Sequence, residues 1–180
     1  MLRLDEVLAG VQPETERTTP TVPGRFRQVA YPEAVIDSRL ATPGALFVAL
    51  SGERVDGHDF LADAVAHGAT AALVRRERAG TLSLGTPFAV VEPTGAGLAE
   101  AAAGTVLLIA VDEPLAALHR LAAFHWRMFT PTVIGITGSV GKTSTKEVTA
   151  EVLSTRFRTI NTPGNLNNEI GLPLTVLRLS

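Results

Sequence analysis

Residues 135–143 read Gly-Ile-Thr-Gly-Ser-Val-Gly-Lys-Thr, and a Lys-Thr pair behind three spaced glycines is chemistry suited to phosphate. Glycines let the main chain bend tightly, so that several N–H groups and the positive end of a following helix converge on one anion. In that arrangement Gly138, Ser139, Val140, Gly141, Lys142, Thr143 and Ser144 cradle a nucleoside triphosphate such as ATP. Lys142 reaches the outer phosphates as the catalytic cation, and the Thr143 hydroxyl holds Mg2+. The strict spacing wants a glycine six residues before the lysine, where this chain has Ile136, so the run is G-x-x-G-x-x-G-K-T. Gly138 and Gly141 keep the bend and the Lys-Thr pair keeps the helix start. The competing reading is a glycine-rich turn that binds nothing, which leaves a lysine opposing the helix dipole with no anion to offset it.

Four other clusters invite a chemical reading. Asp37-Ser38-Arg39 sets a hydroxyl and a guanidinium ahead of Pro43-Gly44 and an apolar run, at the mouth of a sheet. Ser38 and Arg39 there suit an anionic or hydrogen-bonding ligand, and the same spacing suits a capped turn with a surface ion pair. Asp56-Gly57-His58-Asp59 raises a metal site, but the four are adjacent in one loop, no further His or Cys lies nearby at ligand spacing, and Asp59 is placed to cap a helix. His119 and His125 lie six apart, outside the i, i+4 geometry of a helical metal pair, and Phe124, Trp126 and Phe129 around them read as packing between two domains. Asn165, Asn167, Asn168 and Glu169 make a loop more polar than a connection requires. It suits a sugar, peptide or phosphate, or else asparagines that cap their own backbone.

The elements that must hold these groups alternate. Residues 45–50, 71–74, 88–91 and 106–111 are short apolar runs between turn signals and read as strands. Phe60, Leu61, Ala64 and Val65, stopped by Gly68, predict a helix, and Asp112-Glu113-Pro114 announces another with Leu115, Leu118, Leu121, Ala122 and Met128 on its core face. Thr132-Val133-Ile134 reads as a strand into the phosphate loop, 142–153 as a helix with Val148 and Val152 inward, and 157–160 as a further strand. A last helix follows around Pro173. Residues 92–103 change character toward linker or surface helix, and Arg75-Arg76-Glu77-Arg78 reads as a solvated loop. The expected fold is α/β: a small N-terminal α/β domain over 1–111, then 112–180 as the beginning of a P-loop domain with a mainly parallel sheet. Two strands would leave that second sheet with an open edge, so a longer chain is expected.

Composition narrows the function classes. With 16 Lys+Arg against 18 Asp+Glu and a net charge of -2, there is no basic field for nucleic acid. No cysteine means no disulfide framework, which fits a reducing cytosol. The acidic start Asp5-Glu6 argues against a signal peptide, and the run 105–111 is too short to insert in a membrane.

Together, Asp37-Ser38-Arg39, the run 43–50, Asp56-Gly57-His58-Asp59-Phe60, residues 135–147 and Gly164-Asn165-Leu166-Asn167-Asn168-Glu169-Ile170-Gly171-Leu172-Pro173 resemble the Mur ligases of peptidoglycan synthesis. The phosphate loop alone would also suit folylpolyglutamate synthetases. Thr143-Ser144-Thr145-Lys146-Glu147 and the asparagine loop favour the branch that adds D-alanyl-D-alanine over the one that adds a diamino acid. The resemblance covers nearly the whole chain but under half of such an enzyme, and 93–110 reads as an insertion. It implies an N-terminal domain that holds the uridine nucleotide through Ser38 and Arg39, and substrate contacts from Asn165, Asn167 and Asn168. It further implies ATP and Mg2+ at Lys142 and Thr143, with UDP-N-acetylmuramoyl-tripeptide and D-alanyl-D-alanine as partners, in a cytoplasmic monomer. The family's acidic Mg2+ ligand, modified lysine and later histidine are expected past Ser180, so the 180 residues alone should not ligate. A non-catalytic uridine-nucleotide module with a vestigial loop is the alternative of a different class.

Overall fold

The computed structural model describes residues 1–52, 55–163 and 168–180. Its centre is a five-stranded parallel sheet of β3 (Ala34–Val35), β4 (Leu46–Val48), β5 (Ala71–Arg75), β6 (Phe88–Val91) and β7 (Val106–Val111), in the order β3-β4-β5-β7-β6. Before it, β1 (Leu2–Arg3) pairs antiparallel with β2 (Ala30–Tyr31) and runs into helix α1 (Leu4–Val11). The helices after β4, β5 and β7 are α2 (Leu61–Ala66), α3 (Arg76–Ala79) and α4 (Pro114–Trp126). The chain closes with α5 (Lys142–Ser154) and α6 (Gly171–Val176).

Period-two alternation explains why the sheet is covered on both faces. Leu46, Val48, Leu73, Leu107, Ile109 and Val111 point to one side, where they share a core with Leu4, Leu8 and Val11 of α1 and Leu118 and Leu121 of α4. Phe47, Ala72, Val74, Leu108 and Ala110 point to the other, against Leu61 and Ala64 of α2 and Ala79 of α3. All of Val106–Val111 is buried, as expected of an interior parallel strand. Helices α1 and α4 meet at Gly10, where a Cβ would lie 2.7 Å from Leu121 Cδ1.

Several expectations are corrected by this packing. The core face of α4 belongs to the same cluster as the sheet and α1. Residues 93–110, expected as an insertion, pack into the fold: Leu98 and Ala101 are buried, and the Arg25 guanidinium gathers the carbonyls of Leu98 at 3.0 Å, Ala99 at 2.6 Å and Ala101 at 2.9 Å. Buried Gln12 adds a further tie through Nε2 to the Pro93 carbonyl at 2.8 Å. Residues 76–79 form α3 instead of a loop. Neither 132–134 nor 157–160 is in a strand, and among the described residues no neighbouring strand offers them a ladder. Val133 is 68% and Phe157 60% exposed. Val148 and Val152 of α5 face solvent, and the helix buries none of its residues.

α6 does find a partner. It lies against α4, with Leu177 in the shared core and Leu174 and Val176 packed at its rim.

Candidate functional site

The phosphate-type loop ends in a left-handed residue. Gly141 has φ +82 and caps α5, and Gly138 has φ +150, both conformations that favour glycine. The first hydrogen bond of α5 runs from the Thr145 N–H to the Gly141 carbonyl at 2.9 Å, so the preceding amides point out of the helix end. No acidic residue occupies the first turn. A Cβ added at Gly135 or Gly141 would meet nothing within 4 Å, which leaves open space over the bend. Lys142 Nζ curls back onto the Gly138 carbonyl and is exposed. The donor set therefore fits a polyphosphate: a lysine, outward amides and a positive helix end on one bend. Ser139 and Val140 lie exposed on the same bend, and Ser144 lies exposed in the first turn of α5. Thr143, the second helical residue, supplies the hydroxyl suited to Mg2+.

Ser38 and Arg39 sit at the carboxyl end of β3. Asp37 opens a 3-10 turn over Ser38–Leu40 by accepting the Arg39 N–H at 3.0 Å, and its carboxylate holds the Arg39 guanidinium by two bonds of 2.9 and 2.6 Å. The Arg39 side chain and main-chain N–H, both bonded to it, draw the Asp37 carboxyl down to about 2. This is the capped turn with a surface ion pair, and the Arg39 side chain is 81% exposed. Ser38 is different: it is buried, and its hydroxyl donates to Asp63 of α2 at 2.5 Å.

Sequence reasoning missed what His58 does. Asp56 caps a second 3-10 turn, Gly57–Phe60, and α2 has no side-chain cap, so the capping role expected of Asp59 belongs to Asp56. The buried imidazole lies 2.6 Å by Nδ1 from Asp56, while Nε2 accepts the Arg75 N–H at 2.8 Å. Burial raises the Asp56 carboxyl, but bonds from the His58 side chain and amide and from Ser51 outweigh it and bring it to about 2. Arg78 of α3 closes the cluster at 3.0 Å from Asp56. Among the described residues no set of three or more His, Cys, Asp or Glu could hold a metal.

Of the asparagines, Asn165 and Asn167 lie outside the described residues. Asn168 Oδ1 accepts the N–H groups of Ile170 at 3.3 Å and Gly171 at 2.8 Å, and so caps α6. His119 and His125, on different faces of α4, each meet a carbonyl of the last segment: Glu169 at 2.5 Å and Leu179 at 2.8 Å. Phe129 packs edge-on to His125 at 4.9 Å, and the Arg17 guanidinium lies over Phe124. Spacing gave no sign of these pairings, because α6 had to dock first.

Comparison with known proteins gives two family matches. The catalytic-domain model of the Mur ligase family matches residues 34–126, and the Mur ligase middle-domain model matches 136–180. The chain is 42% identical over 144 residues to the UDP-N-acetylmuramoyl-tripeptide--D-alanyl-D-alanine ligase of Escherichia coli, covering 80% of this chain and 26% of that protein. To its counterpart from Treponema pallidum it is 40% identical over 176 residues, covering 96% and 34%. A crystal structure of MurF from Acinetobacter baumannii superposes with a TM-score of 0.64 at 30% identity, over 99% of this chain and 33% of that one. MurF from Thermotoga maritima in complex with ADP gives 0.53 at 32% identity, over 81% and 28%. The chain thus spans about a third or less of the length of these relatives.

Proposed function

This chain belongs to the Mur ligase family, and from that premise we propose that it is the uridine-nucleotide-binding and phosphate-loop part of a ligase joining D-alanyl-D-alanine to UDP-N-acetylmuramoyl-tripeptide at the expense of ATP. The observation that carries the reading is the left-handed Gly141 at the head of α5 with Lys142 behind it, in a chain about 40% identical to ligases named for that reaction. We place the boundary between the two units within residues 127–141, after the core face of α4 and before α5.

In this reading the tripeptide's terminal carboxylate oxygen attacks the γ-phosphorus of ATP and ADP leaves. The dipeptide amine then attacks the acyl carbon, phosphate departs with the C–O electron pair, and the amine loses a proton. A carboxylate is a poor electrophile, so the phosphoryl group both removes its charge and makes a leaving group. Lys142 and the amides of the bend offset charge on the transferred group. Mg2+, held by Thr143, neutralises phosphate charge when bound. Ser38 and Arg39 face the uridine nucleotide at the carboxyl end of the sheet, where open parallel sheets bind ligands, and Asn168 contributes from the head of α6. Asn165 and Asn167 are assigned with it from sequence. The protein acts as a cytoplasmic monomer. No helix among the described residues is long and apolar enough to cross a membrane.

Lys142→Ala in the full-length gene product tests the proposal. Substrate-dependent ADP release and the pentapeptide product, followed by mass, should both vanish. Ligation at the wild-type rate would mean that the loop is vestigial.

A further inference from the structure

The Ser38 hydroxyl has already spent its proton. It donates to Asp63 Oδ2 on α2 at 2.5 Å, and among the described residues that is its one side-chain bond, so the oxygen keeps its lone pairs for anything that arrives. Both partners are held in place. The 3-10 turn that carries Ser38 packs against α2 and is capped by Asp37. On α2, His67 Nδ1 bonds the Asp63 carbonyl at 2.8 Å and lies 3.5 Å from Asp63 Oδ1, the carboxylate oxygen that Ser38 does not use.

Charge separates Ser38 from its neighbour. Arg39 is bonded twice to Asp37, and those bonds first, with the Asp63 charge as a smaller effect, raise its guanidinium above the ordinary value. A phosphate oxygen set against Ser38 Oγ would find no proton to accept and a carboxylate directly behind it. A ligand N–H or O–H finds an acceptor there, polarised by its own bond to a carboxylate. We propose that Asp63 is a positioning residue that sets the polarity of the site: with its proton committed to Asp63, Ser38 accepts from a donor of the uridine nucleoside, the uracil imide N–H or a ribose hydroxyl, and the diphosphate is left to Arg39.

The inference rests on the uridine-nucleotide reading of Ser38, and its test keeps the two apart. Calorimetry on the full-length gene product gives the Kd of UDP, of UDP methylated at uracil N3 and of UDP lacking both ribose hydroxyls, three ligands of equal charge. The wild type should bind one of the two analogues roughly 3- to 10-fold more weakly than UDP, the effect of one lost hydrogen bond, and which one it is identifies the donor. Ser38→Ala should bring that ratio to about one. Asp63→Ala, which frees the serine proton, should shrink it as well, and because the ligands carry the same charge the ratio is untouched by the charge removed. Asp63→Asn, whose amide oxygen can still accept the proton, should keep most of it. Adding Asp63→Ala to Ser38→Ala should change the ratio no further, since Asp63 acts through Ser38. A ratio unmoved by Ser38→Ala, or moved by Ser38→Ala and not by Asp63→Ala, would overturn the inference while UDP still binds. Should the wild type bind no UDP, the uridine reading falls and takes the inference with it.

Discussion

His58 Nε2 accepts the main-chain N–H of Arg75 at 2.8 Å, which fixes the imidazole as the tautomer whose Nδ1 donates to Asp56. One buried ring thereby fastens the loop after β4 to the end of β5. Replacing His58 with Ala opens a cavity and strips the Arg75 N–H of its acceptor. The expected loss is about 2–4 kcal/mol of unfolding free energy, read from urea denaturation. A loss below about 0.5 kcal/mol would show that the ring is not a structural pin.

The same cluster sets an acid limit. The folded Asp56 carboxyl sits at about 2, below its ordinary 3.8. A lowered acid contributes stability that is present above its unfolded value and lost as pH falls through its folded one. The window is therefore about pH 4 to 2. The full shift corresponds to about 2 kcal/mol, and partial solvent screening brings it to about 1. Asp56→Asn should flatten the acid limb of a stability-versus-pH curve over that window. A limb of unchanged slope would remove Asp56 from the account.

Gly141 adopts φ +82 with open space where a Cβ would project, so Gly141→Ala brings strain and no clash. The expected loss is roughly 1–2 kcal/mol at the head of α5, read as an approximately 5- to 30-fold weaker Kd for an ATP analogue. Gly80→Ala, at φ -79 with equally open surroundings, is the control and should leave the Kd unchanged.

Ser38 and Arg39 are adjacent yet should fail differently. Ser38→Ala removes a buried hydroxyl that donates to Asp63, so stability should fall by about 1 kcal/mol. Arg39→Ala removes an exposed partner of Asp37, and stability should hardly move. Calorimetry with UDP-N-acetylmuramoyl-tripeptide should nonetheless show weaker binding for Arg39→Ala. Equal affinity to wild type would exclude Arg39 from the uridine-nucleotide site.

Much of this was legible in the sequence because it is local. Four of the five sheet strands, the α4 start at Glu113-Pro114 and the α5 start at Gly141-Lys142 are written in apolar runs and cap residues within a few positions. The antiparallel pair of β1 and β2 and the buried helix α1 left weaker marks. Their apolar residues make sense only once Leu4, Leu8 and Val11 meet α4, about a hundred residues later in the chain. The histidines failed for the same reason: His58, His119 and His125 each bond to main-chain atoms distant in sequence, and spacing carries no record of that. Residues 132–134 and 157–160 failed in the opposite direction. Their β-branched and aromatic character satisfies strand propensity, but a strand needs a neighbour to pair with.

The strand order has a bearing on biosynthesis. β6 is made before β7, yet among the described residues it pairs only with β7, in the register Phe88 to Val106, while β7 also pairs with β5 from Ala71 to Leu107. As the chain leaves the ribosome, β5 therefore waits with one unpaired edge through some thirty residues of synthesis, and β6 has no ladder to join. Closure comes only when Val106–Val111 slides between them, a late and non-local step of the kind that slows folding. Until then the edge of Ala71–Arg75 is open to pairing with a neighbouring chain.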